Sequence, residues 1–243
     1  MRILVCITHV PDTTSRIRFA GLELDKNEMQ FIIGPYDDYA LSKAIDLKSE
    51  IQAHITVLNV GLQETESSLR KALALGADQA IRVNVHPADS YFTACQIAEV
   101  IKENPFDLAL MGRESIDYHG GVVPGMVGEL TGIRVFSPVT RLRFENGKVI
   151  LSVEIEGGLE TYETTLPLIA GCQEPVADWK IPNLRGILTA RSKPLQIKEP
   201  VKASPRIRTV AYEVTQNAKR LQWIEKENME ELIRVLREDV KIL

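Results

Sequence analysis

The sequence predicts an α/β protein: a doubly wound, mostly parallel sheet with an appended antiparallel β-meander and an extended C-terminal arm. Three observations carry this. Short, mostly apolar runs at residues 3–7, 55–60 and 108–111 read as buried strands. Between them lie segments with apolar residues at helical spacing, the grammar of βαβ units. After about residue 134 the pattern becomes strands broken by Asn146-Gly147 and Gly157-Gly158, which are hairpin signals.

The first strand, residues 3–7, starts almost at the N-terminus and stops before Pro11, leaving a loop at its carboxyl end. In open α/β sheets ligands bind at that end. His9 lies in this loop and reads as a loop side chain with a local hydrogen bond. Residues 16–33 look irregular, with a hairpin expected around Asp25, Lys26 and Asn27. Ala40, Leu41, Ala44, Ile45 and Leu47 then give a helix an apolar face. Asp37 and Asp38 fall in its first turn and suit the helix dipole; as adjacent residues their side chains diverge, which argues against a catalytic pair. Tyr36, just after Pro35, either stacks on a ring or is simply packed. A second helix runs through Leu69, Ala72, Leu73 and Leu75 and ends at Gly76 as a C-cap. A third strand covers residues 80–83, and a third helix residues 91–102. The fourth strand, residues 107–111, feeds a glycine-rich loop. Residues 139–144, 149–155 and 160–166 form the meander, and residues 168–172 one more central strand.

The loop Gly112-Arg113-Glu114-Ser115-Ile116-Asp117-Tyr118-His119-Gly120-Gly121-Val122-Val123-Pro124-Gly125 runs from that fourth strand into a helix at 126–130. Glycines let backbone N–H groups approach a ligand, and a helix N-terminus favours an anion. Pro124 suits a first helical turn. A phosphate-sized anion at Gly120, Gly121 and Val123 is one reading; a loop that only turns strand into helix is the other.

The chain has 243 residues, 44% hydrophobic and 26% charged, enough to bury a core. Its net charge of −4 argues against a general nucleic-acid binder. No apolar run of about 18 residues marks a membrane span, and the N-terminus lacks the apolar region of a signal peptide. Cys6, Cys95 and Cys172 are widely spaced and odd in number, fitting small buried hydrophobes in a reducing cytoplasm, with neither a disulfide framework nor a zinc pattern. Nucleophile elbow, metal cluster and P-loop are all missing from the sequence. The organisation expected is an α/β nucleotide-binding domain over 1–178 with the meander at 138–167, a basic partner-recognition loop at 179–208, and an arm at 209–243. Between Lys180 and Arg208 the only acidic residue is Glu199, and Leu184, Ile187 and Leu188 set apolar side chains on this positive segment. The arm ends in a helix with Met229, Leu232, Ile233, Leu236 and Val240 on one side.

Several stretches together resemble the β subunit of electron-transfer flavoproteins. They are residues 5–12 (Val-Cys-Ile-Thr-His-Val-Pro-Asp), 34–41 (Gly-Pro-Tyr-Asp-Asp-Tyr-Ala-Leu), 72–78 (Ala-Leu-Ala-Leu-Gly-Ala-Asp), 112–117 and 154–160 (Glu-Ile-Glu-Gly-Gly-Leu-Glu), with 184–187 and 191–194 also similar. The resemblance covers nearly the whole chain in order. It implies an electron-carrier subunit, not an enzyme, paired with a larger α subunit. FAD is shared with α, and β holds AMP, or a second FAD in electron-bifurcating members. It implies a nucleotide site including Cys6, Gly34, Pro35, Tyr36, Asp37, Val60, Gly112, Arg113, Glu114, Ser115, Ile116, Asp117, Gly120, Gly121, Val122 and Val123, with Tyr36 and Thr13 near the flavin. It implies docking of acyl-CoA or other flavin dehydrogenases through Leu184, Arg185, Ile187 and Leu188. The chain departs from the family pattern at Thr8, where Lys is usual, at Gly34 for Asn, at Val122 for Gln and at Pro124 for Gly. Phosphate contacts at such a loop must come mostly from backbone. The rival from another class is an adenine-nucleotide-hydrolysing α/β enzyme, which would need Glu114 and Asp117 as Mg²⁺ ligands.

Overall fold

The computed structural model describes all residues except 21, 22, 26, 28, 213–220 and 243. β1 (Arg2–Cys6) is followed by the short strands β2 (His9–Pro11), β3 (Phe19–Ala20), β4 (Glu23–Leu24) and β5 (Phe31–Ile33). α1 (Pro35–Glu50) leads to β6 (His54–Val60), α2 (Glu66–Leu75) to β7 (Gln79–Val83), and α3 (Ser90–Glu103) to β8 (Leu108–Gly112). α4 (Val123–Thr131) precedes β9 (Arg134–Glu145), β10 (Lys148–Ile155), β11 (Gly158–Thr164) and β12 (Leu168–Cys172). α5 (Leu184–Ala190), β13 (Leu195–Lys198) and α6 (Met229–Arg234) complete the order.

Among the described residues, nine strands form the main sheet in the order β11-β10-β9-β12-β8-β1-β6-β7-β13. The six strands from β12 to β13 in that order are parallel. β9 joins them parallel to β12 and pairs antiparallel with β10, so the meander is a continuation of the same sheet. From β1 the chain steps outward to β6 and β7, then returns to place β8 on the other side of β1. That reversal is the switch point, and in open α/β sheets ligands bind beyond the strands' carboxyl ends there.

The two-residue period of β1 divides the core. Ile3, Val5 and Ile7 pack with Ala40, Leu41, Ala44 and Leu47 of α1 and Leu69, Ala72 and Leu73 of α2. Leu4 and Cys6 pack on the opposite face with Ala94, Ile97, Val100 and Ile101 of α3 and Val127 of α4. Fully burying one such side chain contributes about 1.5–3 kcal/mol. Gly76 takes φ +145° after α2 and accepts the role of C-cap. Asn146 and Gly147 both take positive φ at the β9–β10 turn, as a two-residue hairpin of the favoured hand requires.

The fold class is the one the sequence predicts. Three strands escaped that reading: β2 and β5, which pair antiparallel from His9↔Ile33 to Pro11↔Phe31 where a loop and an irregular stretch are expected, and β13. β13 lies inside the segment 179–208, read as a loop, and pairs in parallel with β7 from Leu195↔Ala80 to Lys198↔Val83. It is a four-residue edge strand with half of its residues exposed, so no apolar run announces it. The hairpin expected around Asp25–Asn27 involves Lys26, outside the described residues; the pairing described is Phe19–Ala20 with Glu23–Leu24. Residues Met1–Val210 form one compact unit and Ala211–Leu243 a second. In the second unit α6 runs on into a π-helical turn, Val235–Asp239. Val235 is buried, while Met229, Leu232, Ile233 and Val240 are exposed, so the expected apolar stripe does not form a buried face.

Candidate nucleotide and docking site

The strand ends at the switch point are organised by Asp37, in the first turn of α1, which is 3% exposed. Its Oδ2 accepts from the backbone N–H of Thr8 at 2.8 Å and from the Thr8 hydroxyl at 2.6 Å. Its Oδ1 accepts from the N–H of Gly112 at 2.8 Å. One carboxylate thus ties the loop after β1, the end of β8 and the start of α1. The fit is close: a Cβ at Gly112 would lie 2.6 Å from Asp37 Oδ1, and one at Gly34 2.6 Å from Oδ2. That Gly34 Cβ would also lie 2.4 Å from the Thr8 hydroxyl. Thr8 and Gly34 are therefore one unit, the hydroxyl filling space that a side chain at 34 would need. Burial raises the Asp37 carboxyl to about 6, against the hydrogen bonds from Thr8 and Gly112, and the Asp38 charge adds to the rise.

Asp38 points elsewhere, as adjacent helical residues must. It accepts from Lys71 Nζ and from Trp179 Nε1, each at 3.1 Å, and burial still raises its pKa. It anchors the start of the segment after residue 178. Cys6 and Cys172 are buried, and burial raises both thiols, with the Asp37 charge contributing; Cys95 is only half-buried. Val60 ends β6 in the same core layer as Cys6. Asn59 beside it donates to the Ile7 carbonyl at 2.9 Å, tying β6 to the loop after β1.

The loop after Gly112 is braced. Arg113 donates its backbone N–H to Cys172 at 2.9 Å and Nη1 to Gln173 Oε1 at 2.6 Å, with its guanidinium 5.5 Å from the Tyr36 ring centre. Ser115 and Gly120 exchange both backbone hydrogen bonds, closing a tip of Ile116, Asp117, Tyr118 and His119. The Gly120 N–H is therefore used inside the loop, and the backbone open to a ligand begins at Gly121. Glu114 lies 3.4 Å from Arg113 and 3.5 Å from His119, and the Ser115 hydroxyl donates to Asp117. Among the described residues no group of three or more His, Cys, Asp or Glu is placed to hold a metal.

Among the described residues, the start of α4 has no side-chain cap: Val122 is its N-cap residue, and its first turn carries no acid. α3, α5 and α6 are capped by Asp89, Asn183 and Asn228, and α1 and α2 carry acids in their first turns. Gly121 and Val122 are exposed, and Pro124 is buried in the first turn. Helix N–H groups left open beside a switch point suit a phosphate, and the donors present are backbone.

Thr13 is exposed in the turn after β2, whereas His9 stacks on Phe31 at 4.8 Å and meets the Ser68 hydroxyl at 2.9 Å. Leu184, Ile187 and Leu188 are exposed on α5. Sequence reasoning gave no role to Asn59, Gln173 or Trp179, and no local pattern around them signals one. Among the described residues no helix is long and apolar enough to cross a membrane.

A family model of the electron transfer flavoprotein domain matches residues 22–203. The electron transfer flavoprotein subunit beta of Bacillus subtilis is 31% identical over 257 residues, covering 100% of both chains. That of Syntrophomonas wolfei is 30% identical over 215 residues, 87% of this chain and 85% of the relative. The caffeyl-CoA reductase-Etf complex subunit CarD of Acetobacterium woodii is 30% identical over 203 residues, 81% of this chain and 78% of the relative. A doubly wound sheet with an open helix start at its switch point, and matches of this length, place the chain in the electron transfer flavoprotein family, among its β subunits.

Proposed function

We propose that this chain is the β subunit of a cytoplasmic heterodimer that takes electrons from acyl-CoA or other flavin dehydrogenases. FAD bound with the α subunit passes them to a downstream acceptor. The β chain itself holds AMP at the start of α4. The observation that carries the nucleotide reading is the uncapped N-terminus of α4 at the carboxyl ends of β1 and β8. The flavin supplies the redox chemistry when bound. The chain's own residues position and exclude. Backbone N–H groups from Gly121 to Val123 receive the phosphate, Asp37 holds the strand ends in register, and Cys6, Gly34, Pro35 and Val60 wall the site. Tyr36, steadied by Arg113, and Thr13 face the shared flavin. Leu184, Arg185, Ile187 and Leu188 meet the dehydrogenase.

A second FAD in place of AMP is the second reading. It is favoured by the similarity to a subunit of a caffeyl-CoA reductase-Etf complex. Nucleotide hydrolysis is disfavoured, because Glu114 faces Arg113 and His119, and Asp117 accepts from Ser115. The test is co-expression with the α subunit. A 1:1 complex whose flavin is reduced by an acyl-CoA dehydrogenase and its substrate is the expected result. A chain that stays monomeric beside α, or that turns over ATP alone, overturns the reading.

A further inference from the structure

α5 keeps apolar side chains in solvent: Leu184 is 73% exposed and Leu188 58%. A helix of seven residues does not persist by itself in water, so other contacts must hold it. Its seat is Gly186. A Cβ there would lie 2.2 Å from the backbone carbonyl oxygen of Ala74, so the α5 backbone rests directly on α2. Asn183 caps the helix by accepting from the Gly186 N–H at 2.8 Å.

The far end is fixed by exchanged caps. Arg70 of α2 donates Nη1 to the carbonyls of Ala190 and Lys193 at 2.9 and 3.0 Å. Lys193 in turn donates Nζ to the carbonyls of Leu73 and Ala77, at 2.8 and 2.6 Å, closing the end of α2. Burial lowers the Lys193 pKa, with the nearby Lys48 charge, as befits an ammonium turned inward. Composition counts Arg70 and Lys193 as surface charge; geometry makes them the joint between two helices.

We propose that Gly186, Arg70 and Lys193 are positioning residues for electron transfer, setting the pose in which α5 offers Leu184, Ile187 and Leu188 to a dehydrogenase. The inference rests on the docking reading above. A fixed pose removes ordering cost at the encounter, so loosening it raises KM for the partner and leaves the flavin untouched.

The experiment uses the intact heterodimer as electron acceptor for an acyl-CoA dehydrogenase, with Gly186→Ala, Arg70→Met and Leu184→Ala, and the two doubles that carry Leu184→Ala. Gly186→Ala and Arg70→Met are each expected to raise KM for the heterodimer about tenfold, with kcat changed less than about twofold and the flavin spectrum unchanged. Each double is expected to raise KM by less than the product of the two single effects, since both changes act on the same docking contact while Ile187 and Leu188 remain. Wild-type KM in Arg70→Met, or additive doubles, would overturn the positioning role while leaving docking intact. If Gly186→Ala does not fold, Arg70→Met decides. Wild-type behaviour of Leu184→Ala would overturn the docking reading and this inference with it.

Discussion

Replacing Asp37 by Asn tests whether one buried carboxylate holds the strand ends together at the switch point. Three donors converge on it: the Thr8 N–H, the Thr8 hydroxyl and the Gly112 N–H. An amide offers one acceptor oxygen and turns its NH₂ toward a remaining N–H. Leaving a buried donor unpaired costs about 1–3 kcal/mol, so Asp37→Asn is expected to destabilise the chain by about 2 kcal/mol at pH 7. The pH dependence is more diagnostic. Burial raises the Asp37 pKa from 3.8 to about 6, so the folded state binds this proton more tightly than the unfolded one. Stability from this group grows as pH falls through about 6, is complete below 3.8, and is lost as pH rises. At 1.36 kcal/mol per pKa unit the full effect is about 3 kcal/mol, of which about 1 kcal/mol accrues between pH 7 and pH 5. On protonation the Thr8 hydroxyl can turn and accept the new O–H. Other carboxylates titrate in the same range, so the informative quantity is the difference between wild type and variant in urea unfolding. That difference is expected to widen by about 1 kcal/mol from pH 7 to pH 5. An equal difference at both pH values would refute the assignment of Asp37 as the buried, proton-sensitive clamp.

Val122→Asp places a carboxylate at the uncapped start of α4; it is expected to stabilise the chain by about 0.5–1 kcal/mol while depleting AMP from the purified heterodimer. Thermal unfolding and nucleotide release measure the two effects separately. Gly128→Ala sets a Cβ 2.1 Å from Val135 Cγ2 and 3.0 Å from the Ile133 carbonyl, and overpacking of this kind costs about 1–3 kcal/mol, read as a lower urea midpoint. Trp179→Phe removes the indole N–H from Asp38 and is expected to cost about 1 kcal/mol, with faster proteolysis near residue 180.

Much of the fold was legible because its strands are buried on both faces. Residues 3–7, 55–60 and 108–111 are mostly apolar, broken only by Thr56 and Asn59, and the helices between them need a stripe. β13 was not legible, since an edge strand held by backbone pairing to β7 leaves half of its residues exposed. The site divides along the same line. The glycine loop, the Pro35 helix start and the divergence of Asp37 from Asp38 follow from local chemistry. That Asp37 reaches both Thr8 and Gly112 does not, because those partners lie 29 and 75 residues away. The same holds for Arg70 and Lys193, whose charges look like solvated surface until the carbonyls they face are located. Long-range pairings are properties of the fold, and a single sequence carries no local trace of them.

The most direct measurement is to purify the chain with its α subunit, release the bound nucleotides and quantify them by chromatography. One FAD and one AMP per heterodimer is the result expected from an open helix start at the switch point. Two FAD would select the second reading. FAD alone, with no second nucleotide, would contradict the claim that the start of α4 binds phosphate.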